Sequence, residues 1–135
     1  MTIRFFQNYK MVLDLLKLGL TIIKNHEWSN EVKSSFIECL LELYPLSPIF
    51  YCENTVVDGM KRLEALQSFI RGEFHLTGLQ VLSEYNGLFF SELPIPKQRR
   101  IRETKIEVFQ IDKHAPFEER MICFRKLNPD RFKLD

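Results

Sequence analysis

The segment Thr55-Val56-Val57-Asp58-Gly59-Met60-Lys61-Arg62-Leu63-Glu64-Ala65-Leu66 concentrates the groups of this chain best suited to chemistry. A β-branched run ends at Asp58-Gly59 and a helical pattern begins at once. Such a turn leaves backbone N–H groups unpaired at the positive end of a helix dipole, a spot that attracts phosphate. Lys61 adds a point charge in the first turn, and Arg62 adds a fork of N–H donors. Asp58 has two readings. It caps the helix through its carboxylate, or it holds Mg2+ and activates water beside a bound nucleotide. Asp58, Gly59, Lys61 and Arg62 are therefore the candidate nucleotide or phosphate site, with Lys24 as a helper. Asp58 is the candidate catalytic residue if hydrolysis is retained, and an NTP with Mg2+ is the candidate cofactor.

Lys97, Arg99, Arg100 and Arg102 form a second basic group that could follow a nucleic-acid backbone or clamp a polyphosphate, with Gln98 to add hydrogen bonds. The competing reading is a solvated face, since no aromatic residues interleave there. Phe89-Phe90 reads as a stacking or partner surface, or as core. Trp28 packs a helix against the sheet, or walls a nucleotide pocket with Lys24. The three histidines, His26, His75 and His114, are isolated in sequence. Three cysteines, an odd number without a C-x-x-C pair, argue against a disulfide framework and a structural zinc site. No residue is a candidate metal ligand of that kind, and the cysteines read as buried thiols in a reducing compartment.

The elements that must position these residues follow from periodicity. Phe5, Phe6, Tyr9, Val12, Leu13 and Leu16 recur at three- and four-residue intervals, which predicts an amphipathic helix from Phe5 to Leu18, closed by Gly19. An extended piece, Leu20 to Ile23, follows. Ser29 then caps a second helix with Val32, Phe36, Leu40 and Leu43 on one face, stopped by Pro45. Ile49 to Cys52 and Thr55 to Val57 predict a tight hairpin or a kinked strand over Glu53-Asn54. The helix after Gly59 turns Leu63, Leu66, Phe69 and Ile70 inward and ends at Gly72. Gly78 and Gly87 mark turns among short apolar segments. Pro94 and Pro96 introduce the polar stretch 97–102, which leads into a strand from Lys105 to Asp112. Pro116 opens a last helix with Phe117, Met121 and Phe124 on a stripe until Pro129, with Arg131 to Asp135 frayed.

At 135 residues, 45% hydrophobic and with 12 phenylalanines, the chain suits one domain with one core. Nineteen basic against 18 acidic residues leave a net charge of +1, which excludes a global field for nucleic acid or membrane. The N-terminal stretch carries Arg4, Gln7, Asn8 and Lys10 and lacks a signal peptide's apolar core, and no stretch nears the roughly 20 apolar residues of a membrane span. Cytoplasmic location is the expectation.

Asp58-Gly59-Met60-Lys61-Arg62 resembles the D-G-Q-Q-R motif of the N-terminal domain of GmrSD-type restriction endonucleases, a ParB/sulfiredoxin-like family. Other segments are similar in the same order: Trp28 before a helix, Ser35-Phe36-Ile37-Glu38, Pro45-Leu46-Ser47-Pro48-Ile49, and Phe69-Ile70-Arg71-Gly72-Glu73-Phe74. Leu88-Phe89-Phe90-Ser91-Glu92-Leu93-Pro94 and Phe124-Arg125-Lys126-Leu127-Asn128 complete the series. The resemblance implies a single α+β domain over residues 1–135, a small mixed sheet with packed helices, that binds nucleoside triphosphate and serves restriction of modified phage DNA. Met60 and Lys61 stand where the family has two glutamines, and Ile23-Lys24 stands near the place of a Gln-Arg pair, so the amides that could orient a nucleotide or a water are lost. No nuclease domain is recognised.

Three functions follow as expectations. The first is a nucleotide-binding regulatory domain in phage–host conflict. The second is a non-enzymatic phage-encoded inhibitor or decoy that binds a host or defence protein. The third is a ParB-like DNA-binding module that uses the basic group at 97–102.

Overall fold

The computed structural model describes residues 4–22, 28–114 and 116–127. Four strands, β1 (Phe5–Met11), β2 (Ile49–Cys52), β3 (Thr55–Asp58) and β4 (Lys105–Ile111), form one mixed sheet in the order β1-β4-β2-β3. The β1–β4 and β2–β3 pairs are antiparallel, and β2 runs parallel to β4, with Ile49 beside Val108. Among the described residues five α-helices accompany them: α1 (Val12–Lys17), α2 (Asn30–Leu41), α3 (Met60–Ile70), α4 (Ile95–Glu103) and α5 (Phe117–Leu127). The fold is thus α+β, as expected.

Ile49, Tyr51, Val56, Ile106 and Val108 point to one face of the sheet. They meet Val12 and Leu15 of α1, Ile37, Leu40 and Leu41 of α2, and Met60, Leu63, Leu66 and Phe69 of α3 in the main core. Phe69 is fully buried with Phe90 edge-on at 5.7 Å, and burial of one such ring stabilises the fold by roughly 1.5–3 kcal/mol. On the other face Cys52 and Ile111 pack with Cys123 of α5, with Val57 and Leu127 at the margin. Beyond them Phe50 and Phe109 stack at 4.9 Å, with Phe5 edge-on to both.

The long segment between α3 and α4 is held by polar side chains on α2. The Glu38 carboxylate accepts from the N–H groups of Val81 and Leu82 at 3.1 and 2.9 Å, and Ser34 Oγ accepts from Thr77 N–H at 3.1 Å. Buried backbone groups of a loop without regular partners are satisfied in this way.

Several expectations are corrected. Phe5 to Met11 is a strand, and helix begins only at Val12. Phe5 and Tyr9 share one sheet face while Phe6 lies on the other, so the apparent helical stripe is a coincidence of spacing that pairing with β4 overrides. In α2 the inward face is Lys33, Ser34, Ile37, Glu38, Leu40 and Leu41, with Val32 and Leu43 exposed. The stretch 97–102 lies in a helix, with Gln98 and Ile101 buried on its inner side. The hairpin over Glu53-Asn54, the strand at 105–111 and the last helix occur where the pattern puts them. Arg131 to Asp135 lie outside the described residues.

Candidate functional site

Gly59 begins α3. It adopts a left-handed conformation with φ of 95°, and α3 starts with no side-chain cap and no acidic residue in its first turn. Gly59 is therefore the cap position, and the carboxylate of Asp58, which closes β3, does not cap the helix. Asp58 instead approaches Arg62 one turn on, with Oδ2 3.8 Å from Nη2. A side chain at 59 has no room: a Cβ there would lie 2.8 Å from Ile49 Cγ1 and 3.1 Å from Arg62 Nη2.

Arg62 turns inward. Its guanidinium donates to the carbonyl oxygens of Ser47 and Pro48, the latter at 3.1 Å, and so ties the loop before β2 to the first turn of α3. Burial lowers its pKa and neighbouring Asp58 opposes that shift. The motif thus brings Asp58, Gly59 and Arg62 together as a structural junction among strand, loop and helix. What it offers an anion is the uncapped first turn of α3 and half-exposed Lys61. For Mg2+ the motif supplies one carboxylate, and that carboxylate already faces Arg62. Lys24 and His26 lie outside the described residues.

The basic group at 97–102 does not form one face. With 3.6 residues per turn, Lys97 and Arg102 flank the buried Gln98 and Ile101 on opposite sides, while Arg99 and Arg100 point away. Arg100 donates to Leu41 O at 3.3 Å, and Arg102 lies over the Phe90 ring at 5.0 Å. Two of the four cations are thus engaged with the protein itself. Phe90 is core, and Phe89 is exposed with His75 edge-on at 5.5 Å. Trp28 packs on Phe36 at 5.9 Å and lines a groove with Glu31, Val32, Glu38 and Cys39. His114 is an exposed turn residue. Cys52 and Cys123 are buried and Cys39 is half-buried.

A second region went unmarked by the sequence. Helix α2 ends with Tyr44 N–H bonded to Cys39 O at 3.0 Å and Leu43 N–H bonded to Leu40 O at 3.2 Å. This is the paired bonding of a Schellman ending, whose left-handed position ordinarily holds glycine. Helix α3 ends the same way on Gly72, with φ of 77°. Helix α2 places Leu43 there, with φ of 62° and a side chain 68% exposed. Beside it runs a groove of about 450 Å³ lined by Tyr9, Leu43, Tyr44, Pro45, Leu46 and Glu107, among others. Tyr9 and Tyr44 are 59% and 55% exposed. The Tyr9 hydroxyl donates to Glu107 Oε2 at 3.2 Å, and the negative charge of Glu107 raises the phenol pKa. The signal available in sequence was Leu43 one residue past the C-cap Glu42, where glycine is expected.

No protein-family model, curated protein or solved structure matches this chain. Among the described residues no helix is long and apolar enough to cross a membrane, and no group of three or more His, Cys, Asp or Glu side chains gathers to hold a metal ion.

Proposed function

We propose that this chain is a protein-binding domain that docks a host or defence protein in the groove formed by Tyr9, Leu43, Tyr44 and Leu46. One observation carries the reading. Leu43 is held in a left-handed conformation, which costs an L-residue roughly 1–2 kcal/mol, and its side chain is left 68% exposed. Strain retained at an exposed position supports a role for that side chain outside the fold. Two half-exposed tyrosines flank it, and aromatic anchors of this kind dominate protein interfaces. The resemblance of residues 58–62 and their flanking segments to GmrSD-type, ParB/sulfiredoxin-like domains supports a setting in phage–host conflict, as an inhibitor or decoy in the cytoplasm. The test is affinity capture from host and phage lysates with the wild-type chain beside Leu43→Gly and Tyr44→Ser. A partner recovered near one to one by the wild type and lost by both variants supports the groove; equal recovery by all three sinks it.

A second reading is nucleotide binding at α3. It is favoured by the glycine-started, uncapped first turn with Lys61 beside it. A thermal-shift titration with ATP, GTP, CTP and UTP, with and without Mg2+, tests it through mass action. A rise with one nucleotide that Lys61→Ala removes supports a working site. No rise with any of the four ends this reading and leaves the motif as a junction.

A further inference from the structure

Strand β1 is an edge of the sheet, and among the described residues no strand pairs with its outer side. The ladder to β4 shows which backbone groups face out. Val12 N–H bonds Thr104 O at 2.9 Å and Asp112 N–H bonds Arg4 O at 3.0 Å. In an antiparallel ladder the hydrogen-bonded pairs alternate. Residues 4, 6, 8, 10 and 12 therefore direct their N–H and C=O groups at β4, and Phe5, Gln7 and Tyr9 direct theirs outward; Met11 turns its N–H outward, while its C=O, as the N-cap of α1, serves the first turn of that helix. The Tyr9 N–H is met by the side chain of its own neighbour, Asn8 Oδ1, at 2.8 Å. An edge strand is ordinarily blunted by proline, a bulge, short length or several charges. This one has seven residues without proline, pairs with β4 in unbroken register, and carries Lys10 as its one charge.

We propose that β1 pairs with β1 of a second copy of this chain, antiparallel about a two-fold axis at Asn8, joining two four-stranded sheets into one. The register follows from the strand itself. Hydrogen-bonded pairs across the new ladder must take odd residues from both copies, and the alignment that overlaps all of Phe5–Met11 sets Phe5 opposite Met11 and Gln7 opposite Tyr9. It also sets Lys10 opposite Phe6, so no like charges face one another. An axis at Gln7 would instead set Lys10 against Arg4. Such an interface is isologous and closes at two copies. The far edge of the sheet is not open in the same way, because Thr21 already bridges β3 through Asn54 and Val56. The inference is separate from the groove reading, although Tyr9 borders both surfaces.

Sedimentation or light scattering of the whole chain at micromolar concentration tests it. The expected result is twice the monomer mass for the wild type, and the same for Leu43→Gly and Tyr44→Ser. At the axis the two Asn8 residues face each other with Cα atoms about 4.5 Å apart. Asn8→Lys and Asn8→Asp are each expected to run as monomers, and their equimolar mixture as a dimer. A wild type that stays monomeric overturns the proposal. So do variants that dimerise alone, or a mixture that stays monomeric. Amide exchange in the wild type provides an answer independent of variant folding: the N–H groups of Gln7 and Met11 are expected to slow as concentration rises, and exchange independent of concentration overturns the pairing.

Discussion

Lys33 on α2 and Glu64 on α3 form an ion pair at 3.1 Å with side chains only 9% and 10% exposed, and Lys33 also lies 5.6 Å from the centre of the Phe74 ring. The pair sets the rotation of α2, because a buried ammonium must point at its carboxylate. The inward face consequently runs through Lys33, Ile37 and Leu40, and Val32 turns to solvent.

Removal of one partner leaves the other charge buried. Lys33→Met is expected to lower stability by about 3–5 kcal/mol in denaturant unfolding, and Lys33→Met with Glu64→Leu to restore most of it. A double variant no better than the single would show that the pair is not the source of the loss.

The junction at Asp58-Gly59-Arg62 predicts stability effects without any ligand. Gly59→Ala combines left-handed strain with overpacking against buried Ile49, and is expected to cost on the order of 2–4 kcal/mol. Arg62→Ala releases the Ser47 and Pro48 carbonyls and is expected to cost about 1.5–3 kcal/mol, the range for hydrogen bonds to a charged group. Unfolding midpoints check both. An Arg62→Ala domain as stable as the wild type would return Arg62 to the list of ligand-binding candidates.

At Leu43 stability and binding are expected to part. Leu43→Gly relieves the left-handed strain and should raise stability by about 0.5–1 kcal/mol, with loss of partner recovery. A destabilised variant would mean that the Leu43 side chain packs usefully within the fold.

Alkaline pH should weaken the domain. Burial raises the pKa of Tyr51 above its ordinary value of 10.0. The unfolded chain then releases this proton first as pH rises, and stability present below about pH 10 is lost as pH passes through the folded value. Thermal melts across that window are expected to fall for the wild type and to fall less for Tyr51→Phe. Identical slopes would exclude Tyr51 as the cause.

Local chemistry made much of this legible. Gly59 and Gly72 bound α3 because left-handed turns favour glycine, and the Cys52–Thr55 hairpin follows from two short β-branched and aromatic runs with a two-residue break. The strand at 105–111 and the α+β class follow from the same periodicities. The destination of each side chain was not legible. Phe5, Phe6 and Tyr9 satisfy a helical spacing, and only the presence of β4, remote in sequence, makes them a strand. Arg62 looks like a phosphate ligand until the carbonyls of Ser47 and Pro48 are brought to it. Lys97 to Arg102 look like one basic patch until the helix distributes them around its axis. Backbone preference is set by neighbours along the chain, so sequence alone determined the glycine turns and most elements. Partners of long polar side chains and of sheet edges come from distant segments, and only the tertiary structure decided those.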